Sequence, residues 1–434
     1  MLAAMTANYD VAIVGAGAAG VAAARKLSLT ELKTVVFEAS ARIGGRAWTH
    51  QVAGMPLDLG CGWLHSAERN SWARVADDMG FAIDRRAAAW GGQYQDRGFS
   101  AAERAAARQA YAAWFARLER KPPASDCAAD ALDPGSEWNA YIEAISGYLN
   151  GDALNRVSVA DSLAYDEAAT DSNWRTPAGY GALIAASFPA GTELRLAAPV
   201  ERIALAGGSV ALATPLGEAH ASAAIVTVST AVLASGAIEL PPDLEPWRRA
   251  AEGLPLGRNE KLYFETIAPD AFAPESHVLG NPRDARSGSY TIRPFGRPVI
   301  ECFLGGAGAR IVAEEGPVVG FAHATEELVA LFGAKARRSL KPLAGSSWTR
   351  TQWVGGGYSH ALPGRRAARA DLARAFDGRI FFAGEATHPY DFSTAHGAHD
   401  SGVRAAEEVI AALKPGSRQV ASTAPSQPRD LSSR

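Results

Sequence analysis

Apolar and polar positions along this chain follow two different periods. "VAIVGAGAAGVAAARKL", Val11 to Leu27, runs from an apolar stretch through three glycines into an alanine-rich segment. That order predicts a buried strand, a glycine turn and a helix. "KTVVFEAS", Lys33 to Ser40, predicts a second strand ending in an acid. "SAAERAAARQAYAAWFARLERK", Ser100 to Lys121, has a serine start, strong helix formers and no internal Gly or Pro. It predicts a helix with a close-packing alanine face. From Thr192 to Ser229 apolar and polar residues alternate between turn signals, which predicts a group of strands. "GRIFFAGEATH" predicts a further buried strand running into a loop, and "GAHDSGVRAAEEVIAALK" a closing helix. After Lys414 the composition turns to Ser, Pro and Gln, so residues 415–434 are expected to form a disordered tail. The chain has no internal repeat.

Composition narrows the class without naming it. With 434 residues, 47% hydrophobic and 21% charged, the chain suits a soluble protein of two or three domains. A net charge of −3, with no long run of like charges, gives no reason to expect a nucleic-acid or anionic-membrane partner. Cys61, Cys127 and Cys302 are odd in number and far apart, which argues against a disulfide framework and for a reducing cytoplasm. "MLAAMTANYD" lacks the basic start and apolar run of a signal peptide, and no stretch reaches the length of a membrane span. The expected setting is cytoplasmic.

The glycines carry the first chemistry. Gly15, Gly17 and Gly20 form G-x-G-x-x-G directly after a strand and at the start of a helix. The first permits a tight turn, the second lets a pyrophosphate approach the backbone, and the third lets helix and strand pack closely. The helix N-terminus then turns unpaired N–H groups toward the phosphates. Glu38, ending the next strand, is placed to accept hydrogen bonds from an adenosine ribose. The segment after it, "ASARIGGRAWTH", offers a glycine-pair bend and Arg46, a forked cation able to return to the same pyrophosphate. A simple NAD dehydrogenase has no need of that return loop, so FAD is favoured over NAD.

With these motifs in place, the chain resembles the flavin-containing amine oxidases over most of residues 8 to 414. The resemblance runs in order through "LDLGCGWLHS", "TPAGYGALIAAS", "LAAPVERI", "IVTVSTAVLASGAIELPPDL", "LPLGRNEKLYFE", "WVGGGYSHALPG" and "FFAGEATHPYDFSTAHGAHDSGVRAA". It implies an α/β and α+β fold, in which a Rossmann-like FAD-binding domain is interleaved with a substrate-binding domain of mixed sheet plus helices. The FAD-binding domain is expected over 8–80, 191–250 and 371–414, and the substrate-binding domain over 81–190 and 251–370.

The resemblance also assigns residues. Glu385 is expected to hold the ribityl or pyrophosphate region, and the Val200 backbone to meet the adenine. Gly62 and Trp63 are expected where the chain passes the flavin ring. Thr394 and Ala395 are expected at a helix start whose N–H groups face the flavin pyrimidine and stabilise negative charge there. Tyr358 matches one wall of the family's aromatic cage. Thr394 stands where monoamine oxidases have the opposite tyrosine, which opens that side of the pocket. Lys261 matches the lysine that holds a water against flavin N5 and assists transfer to O2, although strand pattern alone makes it an exposed lysine. His65 resembles a substrate-side histidine that bonds the amine or its water. Trp348 and Trp353 are expected to support the flavin, and equally suit core aromatics. Gly357 replaces a flavin-linking cysteine, so the FAD is expected to be noncovalent. Ser229 stands near a position that is commonly proline.

The implied activity is hydride transfer from the carbon beside a neutral primary or secondary amine, polyamines included, with O2 reduced to H2O2. A small-molecule amine and O2 are the expected partners, and the sequence does not specify an oligomeric state. An amine dehydrogenase using another acceptor, an L-amino-acid oxidase and a flavin-bound scaffold without turnover remain as alternatives. "CGWLHS" carries no arginine of the kind that grips an amino-acid carboxylate. Asp166, Glu167 and Asp171 are candidates to attract a distal substrate cation, with solvated loop charges as the ordinary reading. His388, His396 and His399 fall in the segment that the resemblance gives to FAD, so no metal site is expected.

Overall fold

The computed structural model describes residues 7–414 except 268, 270 and 271. The expected tail at 415–434 lies outside the described residues. Two sheets organise the chain. The first has the strand order Glu193–Arg195, Thr34–Phe37, Ala7–Val14, Gly217–Val226, Ser209–Thr214 and Arg202–Ala206, and Ile380–Phe382 also pairs with Gly217–Val226. Its strands are parallel around Ala7–Val14 and antiparallel toward Arg202–Ala206, so the sheet is mixed.

Both faces of this sheet are covered, which is why "VAIV" is apolar at every position. Val11 and Ile13 point to one side, where Ala23 and Leu27 of helix Ala18–Leu27 meet Val409 of helix Ala395–Leu413. Ala12 and Val14 point to the other, among Phe37, Val200, Trp247 and Phe382. The two helices touch closely because Gly402 has no side chain; a Cβ there would stand 2.2 Å from the Ala19 carbonyl oxygen.

The second sheet runs Ser276–Leu279, Ser289–Ile292, Val299–Gly305, Asn259–Thr266 and Leu340–Gly345, antiparallel throughout. Its period of two divides its side chains cleanly. Leu262, Phe264, Ile300, Cys302 and Leu304 pack beneath helices Ala307–Glu315 and Pro317–Phe332. Lys261, Glu301 and Phe303 take the opposite face and line a cavity.

The helix expected from Ser100 spans Ala101–Arg120, and its start carries a full capping box between Ser100 and Glu103. Its packing face is narrower than the alanine pattern suggests. Among its alanines only Ala107 is fully buried, and Trp114 and Leu118 complete the contact. Ser229 caps the short helix Thr230–Ser235 by accepting from the Val232 N–H, a contact that proline cannot make. Among the described residues no helix is long and apolar enough to cross a membrane.

Candidate active site

One cavity of about 1150 Å³ runs from the glycine turn to the face of the second sheet. That exceeds the space a single drug-sized ligand occupies and suits a dinucleotide together with a small substrate. Gly15, Gly17, Glu38, Arg46, Gly62, Trp63, Val200, Glu385, Thr394 and Ala395 all line it, as do His65, Lys261 and Tyr358.

At the cofactor end, each glycine answers to a different neighbour. Gly15 adopts φ +105°, and an added Cβ would stand 2.6 Å from the Thr227 hydroxyl. Gly20 lies outside the cavity wall and serves packing, since a Cβ would fall 1.9 Å from the Gly15 carbonyl oxygen. At Gly17 the nearest protein atom to such a Cβ is 3.9 Å away, so protein packing leaves that position open toward the cavity. Glu38 accepts from the Ala16 N–H at 2.7 Å and from the Ser40 N–H and hydroxyl at 2.8 and 2.7 Å. A carboxylate has about four acceptor sites, so these bonds aim the group and leave capacity for a ribose hydroxyl.

Arg46 and Glu385 turn out to be partners. Arg46 Nη1 donates to Glu385 Oε1 and to the Gly357 carbonyl, both at 2.8 Å. Glu385 also accepts from the Ser359 hydroxyl at 2.6 Å and the Ser393 N–H at 2.9 Å. Burial alone would raise the Glu385 carboxyl, but Arg46, Ser359 and Arg369 outweigh it and hold it below its ordinary range. Arg369 in turn grips Asp161 through two bonds of 2.7 Å, with both side chains almost wholly buried. Helix Ala395–Leu413 starts at the cavity, where Thr394 accepts from the Gly397 N–H at 3.0 Å.

The three histidines at the start of this helix are held by two acids, His388 and His396 by Asp391 and His399 by Asp400. His388 Nδ1 accepts from the Asp391 N–H at 2.8 Å, His396 Nε2 lies 3.1 Å from Asp391, and His399 Nδ1 lies 2.8 Å from Asp400. Among the described residues no group of three or more His, Cys, Asp or Glu is arranged to hold a metal ion.

At the other end, Lys261 is buried rather than exposed as its strand pattern alone suggests. The antiparallel register pairs it with Phe303 and makes Glu301 its diagonal neighbour on the same face, 3.0 Å away. Tyr358 is anchored as well as placed, because its hydroxyl donates to the Tyr148 carbonyl, and burial raises its phenol far above the usual range. Trp63 meets Trp90 edge to face at 4.5 Å and carries the Arg175 guanidinium over its ring at 4.8 Å. Trp348 donates to the Leu59 carbonyl at 2.9 Å, and both Trp348 and Trp353 line the cavity.

His65 differs from an ordinary histidine. Burial pushes its pKa down to about 4 against the contribution of Asn173, so it is neutral at physiological pH. Asn173 Nδ2 donates to the Asp171 carbonyl at 3.0 Å, which turns its Oδ1 to His65 Nδ1 at 2.6 Å. That oxygen can only accept, so Nδ1 carries the proton and Nε2 keeps its lone pair.

Of the three candidate acids, Asp166 lines the cavity, next to Tyr111 and Tyr165. Glu167 and Asp171 are exposed and outside its wall. Sequence reasoning missed Glu301, Asn173 and Asp161. Glu301 left a signal, an acid within the apolar strand "VIECFLG". Asn173 and Asp161 left none, since each acquires its role from a partner distant in sequence.

Comparison with known proteins agrees with this architecture. The family described as "Flavin containing amine oxidoreductase" matches residues 95–410, and an "NAD(P)-binding Rossmann-like domain" matches residues 13–79. The chain is 28% identical to polyamine oxidase 4 of Oryza sativa subsp. japonica over 438 residues, covering 92% of this chain and 88% of that protein. It is 44% identical over 68 residues to a pseudooxynicotine dehydrogenase of Pseudomonas sp, covering 16% of this chain and 14% of that protein. Putrescine oxidase bound to putrescine shares the fold, with a TM-score of 0.76 at 20% identity, covering 94% of this chain and 100% of that one. The glycine turn, the two sheets and the cavity between them thus belong to a member of the flavin-containing amine oxidoreductase family.

Proposed function

We propose that this protein holds FAD without a covalent bond and oxidises primary or secondary amines, polyamines among them, to imines that hydrolyse to aldehyde or ketone. The observation that supports this most is the single cavity in which a dinucleotide cradle meets Tyr358, His65 and Lys261. The residues fit the cofactor: the position at Gly17 is open, Glu38 is aimed with acceptor capacity to spare, and a helix start faces the cavity. FAD, when bound, supplies the two-electron acceptor for the C–H bond beside nitrogen and passes those electrons to O2, giving H2O2.

The remaining work falls to the chain. Glu38 receives the ribose hydroxyls, and the helix beginning at Ala18 turns its first N–H groups to the phosphates. Gly357 offers no side chain for a covalent link. Cys61, which lines the cavity, has its thiol pushed up to about 12 by burial and stays protonated. Tyr358, Tyr148 and Phe303 give the substrate end an aromatic lining, which disfavours a charged ammonium. His65 Nε2 accepts an N–H of the amine and is too weak a base to compete for a second proton. Asp166 receives the distal cation of a diamine. Anaerobic mixing with a panel of mono-, di- and polyamines tests the reading: at least one is expected to bleach the flavin band, and bleaching by none would refute it. A dehydrogenase using an acceptor other than O2 is the second reading, favoured by the carboxylate that already faces Lys261.

A further inference from the structure

The ammonium expected to assist O2 is already matched. Glu301 Oε1 stands 3.0 Å from Lys261 Nζ, with the two side chains 16% and 10% exposed. Asp58 is a second acid near the lysine, its carboxylate fixed by the Thr49 hydroxyl at 2.5 Å and the Tyr180 N–H at 3.0 Å. Burial raises the Asp58 carboxyl and the Lys261 charge opposes that rise, so the two groups feel each other. Gly62 permits the meeting, since a Cβ there would stand 3.1 Å from Lys261 Nζ and 3.4 Å from Asp58 Cβ. His65 and Cys61 also sense the lysine charge, and Tyr263 senses both acids.

A lone ammonium in a dry cavity strongly stabilises negative charge developing nearby. An ammonium bound to a carboxylate at contact distance presents a dipole, whose field falls off much faster. We propose that Glu301 is a positioning residue that compensates the Lys261 charge and so holds the reaction of reduced flavin with O2 below the rate that the lysine alone would support. In that reaction a hydride equivalent leaves the reduced flavin and one proton comes from solvent, so O2 becomes H2O2 and the flavin is oxidised. The inference rests on the reading that a flavin occupies this cavity; it requires no particular amine.

The pair is tested first in the apo-protein, by ¹³C-dimethyl-lysine NMR with Lys261→Met for assignment. Glu301→Gln is expected to displace the assigned Lys261 resonance at a fixed pH, and Glu301→Asp to bring it back. In the FAD-loaded protein, dye equilibration is expected to show a higher flavin midpoint potential in Glu301→Gln. After photoreduction, which needs no amine, Glu301→Gln is expected to reoxidise in air about tenfold faster than wild type. The double variant Glu301→Gln with Lys261→Met is expected to lose that gain. An unchanged Lys261 resonance, or an unchanged rate of reoxidation, overturns the proposal. Should Glu301→Gln not fold, Lys261→Met in the FAD-loaded protein still decides: a loss of reoxidation rate smaller than about tenfold supports compensation, and a larger loss refutes it. If no amine bleaches the flavin yet the reoxidation result holds, the amine reading fails and the Glu301 assignment stands.

Discussion

The two ends of the cavity are built on different plans. The cofactor end begins with one continuous segment, Val11 to Glu38, whose strand, turn, helix and second strand leave few choices once the glycines are set. The substrate end is assembled from separate segments: His65 from a loop, Asp166 from helix Val159–Ala168, Lys261 and Glu301 from neighbouring strands, and Tyr358 from another loop. A local unit constrains backbone shape, whereas an assembled one constrains side-chain pairings. Substitutions at the first should therefore act on folding and cofactor retention, and substitutions at the second on selectivity and electron transfer.

Arginine and glycine changes break this comparison most sharply. Gly20→Ala drives a Cβ to 1.9 Å from a backbone oxygen and is expected to abolish soluble, yellow protein. Gly17→Ala meets no protein atom within 3.9 Å, so its melting temperature as apo-protein is expected to hold while FAD affinity falls at least about tenfold. Calorimetry and flavin titration separate the two. Arg369→Ala leaves Asp161 buried without its partner and is expected to lower stability by about 3–5 kcal/mol in a denaturant melt.

A smaller effect appears with pH. Burial sets both His65 and His360 at about 4, below the 6.5 of an unperturbed histidine. Between those values the unfolded chain binds more protons than the folded one, so stability rises with pH across that window. Apo-protein melts are expected to fall as pH drops from about 6.5 toward 4, and His360→Asn to flatten the slope. Smallest of all, Asp166→Asn is expected to raise KM for diamines by up to about fivefold while monoamine kinetics stay put, because an exposed ion pair contributes little. Equal losses for both substrate classes would remove Asp166 from the distal site.

Much of the cofactor end was legible in the sequence. The triplet Gly15, Gly17 and Gly20 and the acid at Glu38 are signals carried by neighbours in the chain, the helix start at Thr394 came with the resemblance, and each lines the cavity or packs its wall. The resemblance placed Lys261, Tyr358 and His65, which meet in the same cavity. Their states were not legible. Whether His65 is charged depends on its burial and on Asn173, and whether Lys261 is a free cation depends on the strand that pairs beside it. Arg46 looked like a phosphate ligand in its own segment, and in the fold its guanidinium already bonds Glu385 and Gly357.

By itself the sequence determined the strand–turn–helix cradle, because backbone conformation at glycines and the period of apolar positions are properties of adjacent residues, and the ordered motifs from Val11 to Ala406 carried the resemblance to the family. Only the tertiary structure decided that Glu301 faces Lys261, that Asp166 alone of three acids reaches the cavity, and that His65 presents Nε2 as an acceptor. Those facts are distances between groups remote in sequence, and the charge and proton of each group are set by neighbours that strand pairing and helix packing bring together.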